Sequence, residues 1–79
     1  MKLSNNQKAA VRYLLHVYGP IEWWAVSAAM RMQGCKSCNG IRTCLSLVRI
    51  GVACRDGDRA KYQLTELGHK IAAQVVAGE

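Results

Sequence analysis

Four cysteines are the residues of this chain whose type and spacing could bind a metal. Cys35 and Cys38 have two residues between them within the segment GCKSCNG (residues 34–40), a spacing typical of half a zinc site. Cys44 and Cys54 complete the set of thiols but form no second close pair and have no neighbouring histidine. On a helical wheel, Cys38 and Cys44 point about 120° apart. We therefore expect no metal cofactor, and a zinc or iron–sulfur site at these four cysteines is the weaker alternative.

No group of residues typical of catalysis is visible in the sequence. His16 and His69 fall in predicted helices, and the five carboxylates include no pair spaced for acid–base chemistry. Cys38 follows Lys36 at the expected start of a helix, where the dipole and the cation favour a thiolate. A redox switch at Cys38 is therefore a further alternative, and we do not expect an enzyme.

The positive charge of the chain is concentrated in its middle. The formal net charge is +6, and residues 30–61 carry seven lysines and arginines against two aspartates, which is five of the six charges. Such clustering is typical of proteins that bind a polyanion such as DNA, and a solvated surface is the alternative.

Length and hydropathy restrict the class of protein. The 79 residues are enough for one small domain, 1–79, and a hydrophobic content of 51% excludes a disordered chain. No run reaches the roughly 18 apolar residues of a membrane span. Lys8, Arg12 and His16 interrupt any apolar core of a signal peptide, so we expect a cytoplasmic protein without membrane contact.

Periodicity and capping signals predict four helices and one hairpin. Ser4 and Gln7 have the spacing of a capping box, Gly19-Pro20 ends the first helix, and Thr65 is a good N-cap for the last. Ile21 and Glu22 are expected to form a very short extended segment. The predicted elements are helix 5–18, helix 23–33, helix 39–50, hairpin 52–64 around an Asp-Gly turn, and helix 66–77.

The helix predicted over residues 39–50 is the most clearly amphipathic. On the wheel an outward arc of about 120° holds Asn39, Arg42, Thr43, Ser46 and Arg49. The opposite side, expected to face the core, holds Gly40, Ile41, Cys44, Leu45, Leu47 and Val48.

The helix predicted over residues 23–33 places a tryptophan on its polar side. Trp24 shares that side with Ser27 and Arg31. A tryptophan on a polar helix face suggests a surface for a protein partner.

Three helices, a basic hairpin and a final helix form the plan of a winged helix-turn-helix domain, an α+β fold. The segment CNGIRTCLSLVRIGVACRDGDRAKYQLTELG (residues 38–68) resembles the recognition helix and wing of MarR-, PadR- and ArsR-like regulators. The resemblance rests on the apolar pair Cys44 and Leu47, on Gly51, and on the ending Tyr62-x-Leu64-Thr65-x-x-Gly68. In this plan GCKSCNG is the turn before the recognition helix.

The resemblance implies a small transcriptional regulator that binds double-stranded DNA and inserts helix 39–50 in the major groove. On the outward arc, Asn39 and Ser46 are expected to read base edges, and Arg42 and Arg49 to bind a guanine edge or a phosphate, with Thr43 on the same DNA-binding face. In the wing, Arg55, Arg59 and Lys61 are expected to contact phosphates. A homodimer through the first and last helices is expected as well, because the last helix carries an apolar stripe of Leu67, Ile71, Ala72 and Val75 with little else to cover it.

Two further expectations follow from the same plan. Cys35, Cys44 and Cys54 are expected to face inward as small apolar residues. The alternative function is a winged helix that binds a protein, as an inhibitor or adaptor, without binding DNA; Trp24 would then lie at the contact.

Overall fold

Side-chain hydrogen bonds mark where three of the described helices begin. In the computed structural model, which describes residues 2–17, 19–35, 39–56 and 61–78, the Ser4 hydroxyl accepts from the Gln7 amide at 3.2 Å. The Gln7 side-chain oxygen accepts from the Ser4 amide at 2.8 Å, which closes the predicted capping box. The side chains of Asn39 and Thr65 cap two later helices by accepting from the backbone amides of Arg42 and Gly68.

The described residues form four helices and three strands. The helices are α1 (Asn5–His16), α2 (Trp23–Met32), α3 (Gly40–Arg49) and α4 (Glu66–Ala77); the strands are β1 (Ile21–Glu22), β2 (Ala53–Asp56) and β3 (Lys61–Leu64). Each predicted helix is found within two residues of its expected bounds. Gly19, Gly34 and Gly51 follow the ends of α1, α2 and α3 with positive φ angles, as expected of residues that terminate helices.

The three strands form one antiparallel sheet in the order β1-β3-β2. The predicted hairpin is present as β2 and β3, with Ala53 opposite Leu64, whereas its tip at residues 57–60 lies outside the described part of the chain. The short segment expected at Ile21 and Glu22 is a strand, because Ile21 pairs with Tyr62 at the other side of β3. The chain is therefore a small α+β fold of four helices and a three-stranded antiparallel sheet.

One hydrophobic cluster joins all four helices to the sheet. Tyr62 is the largest of its fully buried side chains, and it projects from the central strand. The other buried members are Leu3, Ala9, Ala10, Val11, Leu14, Val26, Met30, Cys44, Leu47, Val52, Ala53, Leu64, Ile71 and Ala72. None of the helices in the described ranges is long and apolar enough to cross a membrane.

The register of the hairpin corrects one expectation about the cysteines. Cys54 pairs with Gln63, while Tyr62 and Leu64 on either side of Gln63 are buried. Since alternate residues of a strand point to opposite faces, Cys54 lies on the face away from the core, where it is half-buried. The prediction that Cys54 points inward is wrong.

The apolar stripe of α4 is largely covered by the same chain. Ile71 and Ala72 belong to the core, and α4 packs against α1. Only Leu67 and Val76 remain exposed among the large hydrophobic residues of α4, at 46% and 38%. The expectation that α4 lacks a cover is therefore wrong for Ile71 and Ala72, and it no longer supports a dimer through this helix.

Thr65 connects the start of α4 to the turn that follows α3. Its hydroxyl accepts from the Gly68 amide at 3.0 Å and donates to the carbonyl oxygens of Gly51 and Val52 at 2.6 and 3.1 Å. One hydroxyl thus caps α4 and fixes α4 on the segment leading into β2.

We expect Thr65→Val to lower the free energy of unfolding by about 1–2 kcal/mol, because valine keeps the shape but removes the cap. Thr65→Ser retains the hydroxyl and should stay within about 0.5 kcal/mol of the wild type. Urea denaturation followed by far-ultraviolet circular dichroism measures both. A loss in Thr65→Ser together with none in Thr65→Val would show that the methyl group, not the hydroxyl, stabilises this junction.

Candidate nucleic-acid interface

The first residue of α3 lies against the backbone of α2. A Cβ atom at Gly40 would be 2.5 Å from the Cβ of Ser27 and 2.8 Å from the carbonyl oxygen of Trp23. Only glycine permits this close approach. Ser27 is 8% exposed at this crossing, so the prediction that it lies on an outer polar side of α2 is wrong.

A polar contact fixes the rotation of α3 on its other flank. The Gln7 side-chain nitrogen, at the start of α1, donates to the Ser46 hydroxyl at 3.1 Å. Ser46 in turn donates to the Thr43 carbonyl oxygen at 2.7 Å. The Ser46 hydroxyl thus accepts one hydrogen bond and donates another within the protein. Ser46 is half-buried and Thr43 is buried, at 7% exposure.

These contacts correct the predicted outward face of α3. Thr43 does not face outward, because it lies on the side of α3 that packs against the protein. Ile41 and Leu45, predicted to face the core, are instead exposed at 37% and 49%. Arg42 and Arg49 are exposed, as predicted. The exposed face of α3 therefore combines two arginines with two aliphatic side chains.

Asn39 is the N-cap residue of α3. Its side-chain oxygen accepts from the Arg42 amide at 3.1 Å and so caps the helix. Asn39 is exposed and, with Ile41, Arg42, Leu45, Ser46 and Arg49, lines a shallow depression on the outer side of α3. The depression is open to solvent and lies along the exposed face.

The basic residues of the hairpin differ in their surroundings. Lys61 lies 3.7 Å from a Glu22 carboxylate oxygen, and it pairs with Asp56 across the sheet, so two acidic residues flank it. Arg55 is exposed at the outer strand. Arg59, predicted to contact phosphate, lies outside the described residues. Of the predicted wing contacts, Arg55 is the better placed, since the charge of Lys61 is partly balanced within the protein.

The cysteines have separate environments. Cys44 is fully buried, and Cys35 is half-buried against the core, so both packing predictions are confirmed. Burial raises the pKa of the Cys44 thiol from 9.0 to about 12, which disfavours the thiolate that binds metals. Cys38, the residue of the redox alternative, lies outside the described part of the chain. Within that part, no three residues among His, Cys, Asp and Glu lie together as metal ligands.

A second exposed surface lies on α2. Trp24 is 60% exposed and Met32 is 89% exposed, and exposed Ala28 and Arg31 lie between them in sequence. Positions 24, 28 and 31 follow helical spacing and share one side of α2. The prediction that Trp24 lies on an outer side with Arg31 is confirmed. We call this set of four residues the α2 surface.

The sequence pattern missed one residue that positions α3. Gln7 is recognisable from its capping-box spacing, but its second hydrogen bond, to Ser46, joins residues that are 39 positions apart. No local sequence pattern indicates such a contact.

Comparison of the chain with family models, with curated proteins and with solved structures finds no match in any of the three.

The raised pKa of Cys44 predicts how stability depends on pH. Above pH 9 the unfolded state loses the thiol proton while the folded state keeps it up to about pH 12, so stability falls as pH rises. Between pH 8 and pH 10 the wild type should lose about 1.4 kcal/mol more unfolding free energy than Cys44→Ala. Urea denaturation at both pH values measures this difference. The cavity made by alanine costs the same free energy at each pH. An identical pH dependence in the two proteins would therefore contradict a raised pKa of the Cys44 thiol in the folded state.

Proposed function

We propose that this chain is a winged helix-turn-helix protein that binds double-stranded DNA in a sequence-specific manner and regulates transcription. In this proposal α3 lies in the major groove and the β2–β3 hairpin is the wing on the phosphate backbone. The order of the elements, three helices followed by a hairpin and a last helix, is compatible with the fold that the sequence resembles.

The observation that carries the proposal is the joint exposure of Arg42 and Arg49. They are seven residues apart, which places their Cα atoms on one side of α3 and about 10.5 Å apart along its axis. Each guanidinium has donors arranged to bind a guanine edge or a phosphate with two hydrogen bonds. The opposite side of α3 is anchored by Cys44 and Leu47 in the core. A rigid helix thus presents two cations outward.

The charge of the remaining surface supports the same partner. The formal net charge of +6 favours association with a polyanion at low salt. Exposed Arg55 extends the positive surface onto the hairpin. Thr43 no longer belongs to the proposed contact residues, and Ser46 contributes less than expected because its hydroxyl is used within the protein.

Arg42→Ala and Arg49→Ala should each weaken binding to duplex DNA by about tenfold or more. Where the arginine contacts phosphate, the slope of log affinity against log salt should also become shallower by about one. Fluorescence anisotropy with a labelled random-sequence duplex at several salt concentrations measures both quantities.

Lys70→Ala is the control for these substitutions. It removes one positive charge from an exposed helical position on α4, outside both proposed contact surfaces, and should leave affinity within about twofold, apart from long-range electrostatics that raised salt screens. No binding by the wild type at low salt, or equal losses in all three variants, would refute the proposal.

A second proposal, which adds to DNA binding, is that the α2 surface binds protein. The observation that favours it is the exposure of Trp24 and Met32, because large apolar side chains of this kind are typical anchors of protein interfaces. A single α3 also has a small footprint on DNA, for which dimers on two half-sites compensate. We therefore propose that a second copy of the chain docks on the α2 surface.

We expect the wild type to elute as a dimer at high micromolar concentration and Trp24→Ala as a monomer with unchanged circular dichroism. Size-exclusion chromatography with light scattering gives the mass directly. Leu67→Ala, which truncates an exposed leucine of α4, should leave the dimer intact. A monomeric wild type would exclude the dimer, and dissociation by Leu67→Ala alone would move the interface to α4.

A further inference from the structure

The exposed face of α3 has an aliphatic stripe that the core does not use. Ile41 and Leu45 are one helical turn apart and are exposed at 37% and 49%. Both belong to the depression that is also lined by Arg42 and Arg49. The two aliphatic side chains therefore occupy the same face as the two proposed DNA-binding arginines.

The charges beside this stripe indicate what covers it. Arg42 follows Ile41 directly, and Arg49 lies one turn beyond Leu45, so a partner that buries the aliphatic groups must also accept two guanidinium groups. A polyanion satisfies this requirement. The stripe is also narrow, with two side chains where a protein interface presents a broad apolar core. Charge complementarity and width together favour DNA as the occupant.

The major groove of DNA offers one apolar group, the 5-methyl of thymine. We infer, on the basis of the proposed DNA-binding function, that Ile41 and Leu45 select thymine by packing against this methyl group. Arg42 and Arg49 then hold the helix at guanine edges or phosphates around the contact. The stripe makes α3 specific for sites in which thymines lie beside the positions bound by the arginines.

The spacing along α3 sets the spacing of the selected bases. The Cα atoms of Ile41 and Leu45 are about 6 Å apart along the helix axis. Successive base pairs are about 3.4 Å apart. The two side chains therefore reach methyl groups about two base steps apart when α3 follows the groove.

Four duplexes of equal length test the inference on the full chain. One is an alternating A·T duplex and the second is the same duplex with deoxyuridine in place of thymidine, which removes only the 5-methyl group. The third is an alternating G·C duplex and the fourth carries 5-methylcytosine, which adds a methyl group at the same major-groove position. Affinity is measured by fluorescence anisotropy at low salt.

Removing the methyl should weaken wild-type binding about threefold to fourfold for one contacted group and about tenfold for two. Adding it to cytosine should strengthen binding in the same range. Ile41→Ala combined with Leu45→Ala should abolish both ratios, so that each methylated duplex binds no more tightly than its unmethylated counterpart. Val76→Ala, which truncates an aliphatic side chain of similar exposure on α4, should retain both ratios.

The outcomes separate the inference from the function on which it rests. Equal wild-type affinities within each pair of duplexes would overturn methyl selection and leave DNA binding standing. A methyl preference that survives in the Ile41 and Leu45 double variant would also overturn it, because another surface would then contact the methyl. No binding to any of the four duplexes would refute the DNA-binding proposal itself. Circular dichroism confirms that each variant is folded.

Discussion

The close approach of α3 to α2 at Gly40 is the constraint on which the exposed surface depends. With Ser27 and the Trp23 carbonyl so near, α3 can meet α2 only along the side that bears Gly40, Cys44 and Leu47. The hydrogen bond from Gln7 to Ser46 then fixes the same helix against α1. These two contacts decide which residues of α3 are left outside. The candidate interface is thus a consequence of how three helices pack.

Because of this packing, some polar residues of α3 lie inward and some apolar residues lie outward. Thr43 is polar but buried, and the half-buried Ser46 hydroxyl is hydrogen-bonded within the chain to Gln7 and to the Thr43 carbonyl oxygen. Ile41 and Leu45 are apolar but lie outside. No buried polar side-chain atom in the described residues lacks a hydrogen bond, so the inward polar residues do not leave unsatisfied groups.

The sequence predicts those parts of the fold that depend on neighbouring residues. Caps at Ser4, Asn39 and Thr65 and glycines after three helices are local signals, and the helices begin and end where these signals place them. The strands of the hairpin follow from alternation. A helical wheel assumes that polar residues face water, and at Thr43, Ser46, Ile41 and Leu45 that assumption fails. The buried position of Ser27 and the ion pair of Lys61 with Glu22 likewise depend on elements distant in sequence.

The exposure of Ile41 and Leu45 costs a chain of this size part of its folding stability. Full burial of an aliphatic side chain stabilises a protein by about 1.5–3 kcal/mol, and small domains have little stability to spare. Turning α3 to bury Leu45 would place Thr43 or Ser46 in water and break the contact with Gln7. It would also turn Arg42 and Arg49, which lie on the same face as Leu45, toward the protein. The observed rotation forgoes part of that stabilisation and keeps two guanidinium and two aliphatic groups together on one solvent-facing surface. This combination is the one that the proposed partner, with both phosphates and methyl groups, would contact.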